Sequence, residues 1–356
     1  MSENPIDGLL RHPVSFLDDS GPDGDIAISS RIRLARNVAG HPFPPAASPS
    51  EREELCEEVT AAVAGIRVLS GPGAACFSPG TMSDLDCRIL LERRLASKEF
   101  FARKPGTRLF VCPQEACSLM VNEEDQIRLQ VIRPGLQLES VWREIDVLDD
   151  ELGKVLEFAF DDRLGYLTSC PTNVGTGMRV SVMLHLPALV LAKQIAPTIH
   201  GIGKLHMAVR GIFGEGTENL GCLFQISNQS TLGESESRII GNLDRVIKQL
   251  INCEKLVRRE ILEHRRTYLL DYVGRAYGLL KYSYTLSEKE ALNSLSGLRL
   301  GADLGLFQDI DIKKVNALFV EISPAHLQKR AGLELSSEAC NEFRAAYCRE
   351  KLRQTA

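Results

Sequence analysis

No stretch of this 356-residue chain is long and apolar enough to read as a membrane span. Its most apolar run, residues 182–192, is interrupted by His185 and Pro187 and reads as a buried helix. The first residues, Met1 to Asp7, lack the basic start and apolar centre of a secretion signal. The formal net charge is −5, so no positive excess argues for nucleic acid or a membrane surface as partner. Ten cysteines are present without CxxC pairing, Cys112 and Cys117 being the nearest two. Neither HExxH nor a Cys/His quartet occurs, which argues against any protein-held metal. Scattered thiols without a secretion signal fit a reducing cytoplasm. Common nucleotide signatures are missing as well. Gly153-Lys154 and Gly203-Lys204 are not followed by Ser or Thr, so there is no Walker A loop, and the HRD and DFG motifs of hydroxyl-directed protein kinases are absent.

What is present is an ordinary globular composition, 44% hydrophobic and 25% charged, in a chain long enough for one large or two ordinary domains. Residues 25–34 alternate as a strand. Ser48 or Ser50 is placed to cap a helix running through Ala64, with Glu51 and Glu53 in its first turn and Gly65 at its end. Residues 83–97 read as a second amphipathic helix, and residues 108–112, 118–122 and 126–132 as short strands. Residues 138–158 have helical periodicity, whereas 166–169, 208–213 and 222–227 read as strands. After Ser235 almost no strand signal remains. The class is α+β, followed by an all-helical C-terminal part. The division falls inside a long helix from about residue 236 to 266, giving domains 1–255 and 256–356.

The chemically most informative segment is SCPTNVGTGMR, residues 169–179. Gly175 and Gly177 would let backbone N–H groups approach an anion. The following residues are expected to open a helix whose positive end favours a phosphate and a Cys170 thiolate. Arg179 adds a planar fork of donors. Arg31 and Arg33 share one face of a strand, Arg128 follows the acidic run Asn122-Glu123-Glu124-Asp125, and Arg210 ends a strand in a glycine-rich loop containing Glu215 and Glu218. Singly, each is most often a solvated charge. Together, arginines on strands beside glycine-rich turns call for a polyanion such as a triphosphate. Glu124 and Glu215 repel phosphate but match a planar guanidinium.

The ordered segments SSRIRLARN, VNEEDQIR, SCPTNVGTGMR, RGIFGEG and FQISNQSTLG, within about residues 25–250, resemble the phosphagen (guanidino) kinase family, closest to its bacterial protein-arginine kinase branch. Creatine and free-arginine kinases have a helical domain ahead of the SSR strand, but here Ser29 comes almost at once. The helical C-terminal extension also looks like the bacterial branch. The resemblance implies an antiparallel sheet flanked by helices, with ATP and Mg²⁺ as cofactors. It implies nucleotide contacts from Ser29, Ser30, Arg31, Ile32, Arg33, Arg94, Arg128, Arg179, Val180, Ser181, Val182, Met183, Arg210, Gly211, Ile212, Phe213 and Gly214. Glu124 and Glu215 would orient a guanidinium, Glu124 taking its proton, with Cys170 as an aligning thiolate. It further implies arginine phosphorylation in protein substrates during stress response and quality control. The implied partners are a zinc-binding activator, a Clp-type protease and a second copy of the chain. Two departures stand out. Gln126 replaces the His after NEED, and Cys340 and Asn341 replace the first two residues of an Arg-Asp-x-x-Arg-Ala phosphoarginine motif, leaving Arg344 and Ala345. Weak or absent allosteric feedback is therefore expected. The competing readings are a kinase of free guanidino metabolites, which a small-molecule substrate screen would reveal, and a non-catalytic phosphoarginine-reading adaptor. The retained catalytic-type residues argue against the adaptor.

Overall fold

The computed structural model describes residues 5–18, 20–102, 105–211, 219–307 and 309–353. Its strands are β1 (Ala27–Arg36), β2 (Ala75–Phe77), β3 (Arg108–Val111), β4 (Cys117–Val121), β5 (Ile127–Pro134), β6 (Phe160–Asp161), β7 (Gly165–Tyr166), β8 (Met178–His185), β9 (Met207–Gly211) and β10 (Leu223–Asn228). Eight of them form one antiparallel sheet in the order β2-β3-β4-β5-β1-β8-β10-β9, and β6 and β7 pair as a small hairpin. The helices are α1 (Pro5–Leu9), α2 (Pro49–Ala64), α3 (Arg67–Ser70), α4 (Asp84–Glu92), α5 (Leu138–Gly153), α6 (Pro187–Leu191), α7 (Ile195–Gly203), α8 (Glu236–His264), α9 (Arg266–Tyr282), α10 (Glu288–Asp303), α11 (Ile312–Glu321), α12 (Pro324–Ala331) and α13 (Ser337–Arg353). Among the described residues, no helix is long and apolar enough to cross a membrane.

Period-two alternation gives the central sheet two unlike faces. Ile32 and Leu34, Val180 and Val182, Leu129 and Val131, and Phe224 and Ile226 point to one side. There they join apolar residues of α2, α5 and α8 in the main core. The opposite face carries the polar alternates of the same strands. Ser48 caps α2 in a reciprocal box: Glu51 N–H donates to Ser48 Oγ at 3.3 Å and Ser48 N–H to Glu51 Oε2 at 2.7 Å. α8 runs unbroken past residue 255. Glu254 accepts the backbone N–H groups of Ala188 and Leu189 at 2.9 and 3.0 Å, while Arg258, one turn on, lies 3.5 Å from Asp303 of α10. The sheet part and the helical part are thus held by successive turns of one helix.

Several expected elements differ. Residues 178–185 form a strand rather than a helix start, because Val180, Val182 and Leu184 alternate with Arg179, Ser181 and Met183 at period two. Only Pro187–Leu191 of the apolar run is helical. The helix from residue 83 stops at Glu92, where Arg94 takes a left-handed backbone with φ 61°. The helix from residue 138 stops at Gly153, and the strand expected over 166–169 shrinks to the second half of the β6–β7 hairpin.

Gly177 makes the junction into β8. Its φ is 61°, and a Cβ there would stand 2.5 Å from the Ala35 carbonyl and 2.6 Å from Arg36 Nη1. Gly177→Ala should therefore destabilise by about 1–3 kcal/mol. Gly241, inside α8 with open space around it, is the control. Gly241→Ala should stabilise by about 0.5–1 kcal/mol. Opposite shifts in Tm between the two variants are expected, and two shifts of the same sign would contradict the assigned roles.

Candidate active site

Antiparallel register decides which polar side chains meet, since directly opposed residues share a face. Arg33 stands opposite Arg179 on β8 and Gln130 on β5. Arg31 stands opposite Ser181 and Ile132, and Arg128 opposite Ala35. Arg210 stands opposite Gln225, which is itself opposite Met183. Arg31, Arg33, Arg128, Arg179 and Arg210 therefore all project from the face away from the main core. Arg94, from the turn after α4, enters the same region. With Arg31, Arg33 and Gln130 it lines a cavity of about 370 Å³.

The electrostatics are those of cations crowded on one face of the sheet. Burial, reinforced by Arg94, Arg128 and Arg179, brings Arg31 down to about 9. Burial and the neighbouring arginines push Arg33 well below the ordinary value, although Glu123 pulls the other way. Burial lowers Arg94 to about 10. It also lowers Arg179, with help from Arg210 and Arg128. Arg128 has Glu123, Nη1 to Oε2 at 2.5 Å, and Arg179 donates to Ser227 Oγ at 3.1 Å. Among the described residues, Arg31 and Arg33 have no hydrogen-bonding or ion-pair partner, and Nε of both Arg33 and Arg179 is buried and unpaired. Half-buried cations left this way are stabilised by an anionic ligand, and planar forked donors in number suit a polyphosphate.

The β4–β5 turn presents a single free carboxylate beside this cluster. Asn122, at φ 56°, donates to the carbonyls of Arg52 and Gly106 at 2.9 and 2.8 Å. Glu123 is buried against Arg128 and Ser97. Burial opposes its charge, but Arg128, Ser97 and the Glu124 N–H hold its carboxyl below the usual range. Asp125 accepts Asn37 Nδ2 at 2.9 Å and Ser169 N–H at 2.6 Å. Gln126, which stands where the family has His, is buried and tied to Val38 and Pro42. Glu124 alone in the NEED run is exposed. Its immediate neighbours hold Arg128 on one side and the Cys170 loop on the other.

Cys170 is half-buried at the start of a 3-10 turn, Pro171–Asn173, with Sγ 3.0 Å from Thr172 Oγ1. No helix dipole reaches it, since the residues after the glycines are β8. The glycines serve backbone packing instead of anion approach. Gly177 passes the Ala35 carbonyl, and Gly175 pairs with Tyr166 and passes the Thr231 carbonyl. Thr231 Oγ1 in turn donates to the carbonyls of Thr172 and Val174 at 2.9 and 2.7 Å, which fixes the loop from its other side.

The remaining candidates divide by parity. Ser29, Ser181 and Met183 lie on the arginine face. Ile32, Val180 and Val182 face the main core, and Ser30 Oγ is bonded to the Gly135 carbonyl and the Gln137 N–H. Because β1 and β8 are paired on both edges, the latter four have little free backbone to offer a ligand. Gly211 ends β9 opposite Phe224, while Ile212, Phe213, Gly214 and Glu215 lie outside the described residues. Arg344 is buried, with Nε on the Ile322 carbonyl and Nη1 on the Leu286 carbonyl and Asn341 Oδ1, at 3.1, 2.9 and 2.7 Å. Its donors serve the folding of the helical part and are not turned to a ligand. Sequence reasoning set aside Glu123 and Asp125, which turn out to be the two anchors of the site. It passed over Gln130 and Ser227, for which only strand register could have provided a signal.

The sheet flanked by helices is a fold shared with solved guanidino kinases. The crystal structure of lombricine kinase superposes with TM-score 0.58 at 24% identity, over 68% of this chain and 70% of that one. A model of the ATP:guanido phosphotransferase C-terminal catalytic domain matches residues 59–257, and one of the protein-arginine kinase McsB C-terminal domain matches residues 266–356. The protein-arginine kinase of Pelotomaculum thermopropionicum is 44% identical, over 94% of this chain and 95% of its own length. That of Brevibacillus brevis is 43% identical, over 97% of both chains. The chain belongs to the protein-arginine kinase family of guanido phosphotransferases. Glu124→Gln keeps the size of the one free carboxylate and removes its charge. Turnover should fall by about 10²–10⁴-fold with ATP affinity unchanged, as read by steady-state kinetics and nucleotide titration. A variant of near-normal kcat would remove Glu124 from the chemistry.

Proposed function

We propose that the protein transfers the γ-phosphoryl group of ATP to arginine side chains of protein substrates. The observation that carries this reading is the pair Arg31 and Arg33, half-buried and, among the described residues, without a hydrogen-bonding or ion-pair partner, beside a turn whose single exposed carboxylate is Glu124. A face crowded with cations suits the triphosphate, and an exposed carboxylate suits a cationic acceptor, so donor and acceptor are sorted by charge. In the step proposed, a guanidinium nitrogen forms the bond to γ-phosphorus as the bond to the β,γ-bridging oxygen breaks. The nitrogen's proton passes to Glu124, and the Cys170 Sγ helps align the planar acceptor. Arg31, Arg33, Arg128, Arg179 and Arg210 hold the phosphates and meet the charge that develops on them. Rate enhancement then comes from positioning and electrostatics. Magnesium would supply further charge neutralisation, bound through the phosphates, since among the described residues no group of three or more His, Cys, Asp or Glu is arranged for a metal.

The proposal assigns phosphoryl transfer to residues 1–255 and self-association and substrate docking to residues 256–356. Exposed Tyr268, Leu279 and Tyr282, on one side of α9, are apolar surface of the kind a homodimer buries. A zinc-binding activator, a Clp-type protease, a role in stress response and a cytoplasmic setting belong to the proposal on the family resemblance alone. A P–N bond distinguishes this activity from hydroxyl-directed kinases. Label transferred from [γ-³²P]ATP to an arginine-rich unfolded protein should be lost in mild acid, survive base, and map to arginine by mass spectrometry. Acid-stable label on Ser, Thr or Tyr would refute the reading.

A further inference from the structure

The cavity beside Arg31 and Arg33 is not walled by the sheet alone. Glu288, which begins α10, and Ser323, which immediately precedes α12, line it from the helical C-terminal part. What seats α12 there is the last residue of α4. Glu92 Oε1 accepts the Ala325 N–H at 2.8 Å. Its Oε2 accepts the His326 N–H at 3.1 Å and lies 2.6 Å from His326 Nδ1. The carboxylate thus occupies the donor-rich N-terminus of α12, where negative charge is favoured. Arg93, the next residue, approaches His326 Nε2 at 3.4 Å. A guanidinium only donates, so Nε2 is the acceptor and Nδ1 carries the proton directed at Glu92. Arg93 is fixed in turn by Glu115, Nε to Oε2 at 2.8 Å, and by the His12 carbonyl at 3.1 Å. Arg93 and His326 are both buried, and Ala325 packs in one apolar cluster with Ile89, Leu90 and Met120.

Immediately beyond this clamp the chain turns into the cavity. Arg94 has the left-handed φ of 61° that a side-chain-bearing residue seldom adopts, and its carbonyl accepts from Gln130 Nε2 at 2.9 Å. Such a conformation persists where the surroundings impose it. The surroundings here are the α4–α12 clamp on one side and β5 on the other.

We infer that Glu92 and His326 are positioning residues for the nucleotide site. By clamping α12 onto the end of α4, they fix the turn that presents Arg94 to the anion cavity. The helical C-terminal part is thereby a component of ATP binding and not only an appended docking module. The inference rests on the proposal that this cavity holds the phosphates of ATP. It is tested on the full chain by ATP titration and steady-state kinetics of Glu92→Ala, Arg94→Ala and the double variant, with His326→Asn and His326→Leu alongside. Each single alanine variant should weaken ATP binding by about tenfold, the scale of a lost charge-assisted hydrogen bond. The double variant should be no weaker than either single one, because both remove the same contact. KM for the arginine substrate should stay unchanged. His326→Asn keeps an N–H within reach of Glu92 and should retain ATP affinity that His326→Leu loses. This pair decides the matter if Glu92→Ala does not fold. Losses that multiply in the double variant, equal behaviour of the two His326 variants, or unaltered ATP affinity in Glu92→Ala alongside a loss in Arg94→Ala would overturn the inference alone. Full ATP affinity in Arg94→Ala would overturn it together with the placing of the phosphates in the cavity.

Discussion

Mutual repulsion among arginines crowded on one face of the sheet governs the site and much of what surrounds it. Arg31 and Arg33 are carried into the structure by β1, an interior strand whose other face is locked into the main core by Ile32 and Leu34. Neither half-buried side chain can leave the other without lifting that strand. The sheet therefore holds the cations together against their repulsion and their loss of hydration. An empty site of this kind lowers the stability of the protein, and a polyanion restores it. Glu123 neutralises part of Arg128 and leaves Arg31 and Arg33 without an ion-pair partner among the described residues.

The same division of labour extends to the turn at the far end of β4. Asn122, Glu123, Asp125 and Gln126 are buried and bonded, so that Glu124 projects from a rigid base. Asp125 makes the Cys170 loop part of that base. A short acidic run thus provides a counter-ion, an exposed carboxylate and a strut from adjacent residues, each set by the direction in which the strand and turn point the side chain. The helical part belongs to this machinery through Glu92, which ties it to the anion cavity, and through Arg258, which donates to the Asp25 carbonyl just ahead of β1.

Much of this was legible in the sequence, because local pattern determines local structure. The alternation of residues 25–34, the Ser48 cap, the strands around 108–132 and the helical tail after Ser235 all carry period or capping signals. The α+β class with a helical C-terminal part was readable from them. Arg31 and Arg33 on one face followed from strand geometry. Register between distant strands is not written locally, so that Arg179 and Arg128 share their face with Arg33 became evident only from the pairing of β8 and β5 with β1. The glycines at 175 and 177 misled for a physical reason. A tight turn that lets backbones pass closely looks, in sequence, like a turn that lets a backbone approach a phosphate. The strand after it was mistaken for a helix because two glycines and a following apolar run fit both. Arg344 was offered to a ligand because nothing local announces that its donors are consumed by carbonyls contributed from Leu286 and Ile322.

The most direct measurement is the thermal stability of Arg33→Met with and without tripolyphosphate, a ligand that carries the charge of ATP and none of its base. If crowded like charge is the organising constraint, Arg33→Met melts higher than the wild type when no anion is added, since a half-buried like-charge contact has been removed. It also loses most of the upward shift in Tm that tripolyphosphate produces in the wild type. A variant that melts lower than the wild type and keeps the full tripolyphosphate shift would contradict the account.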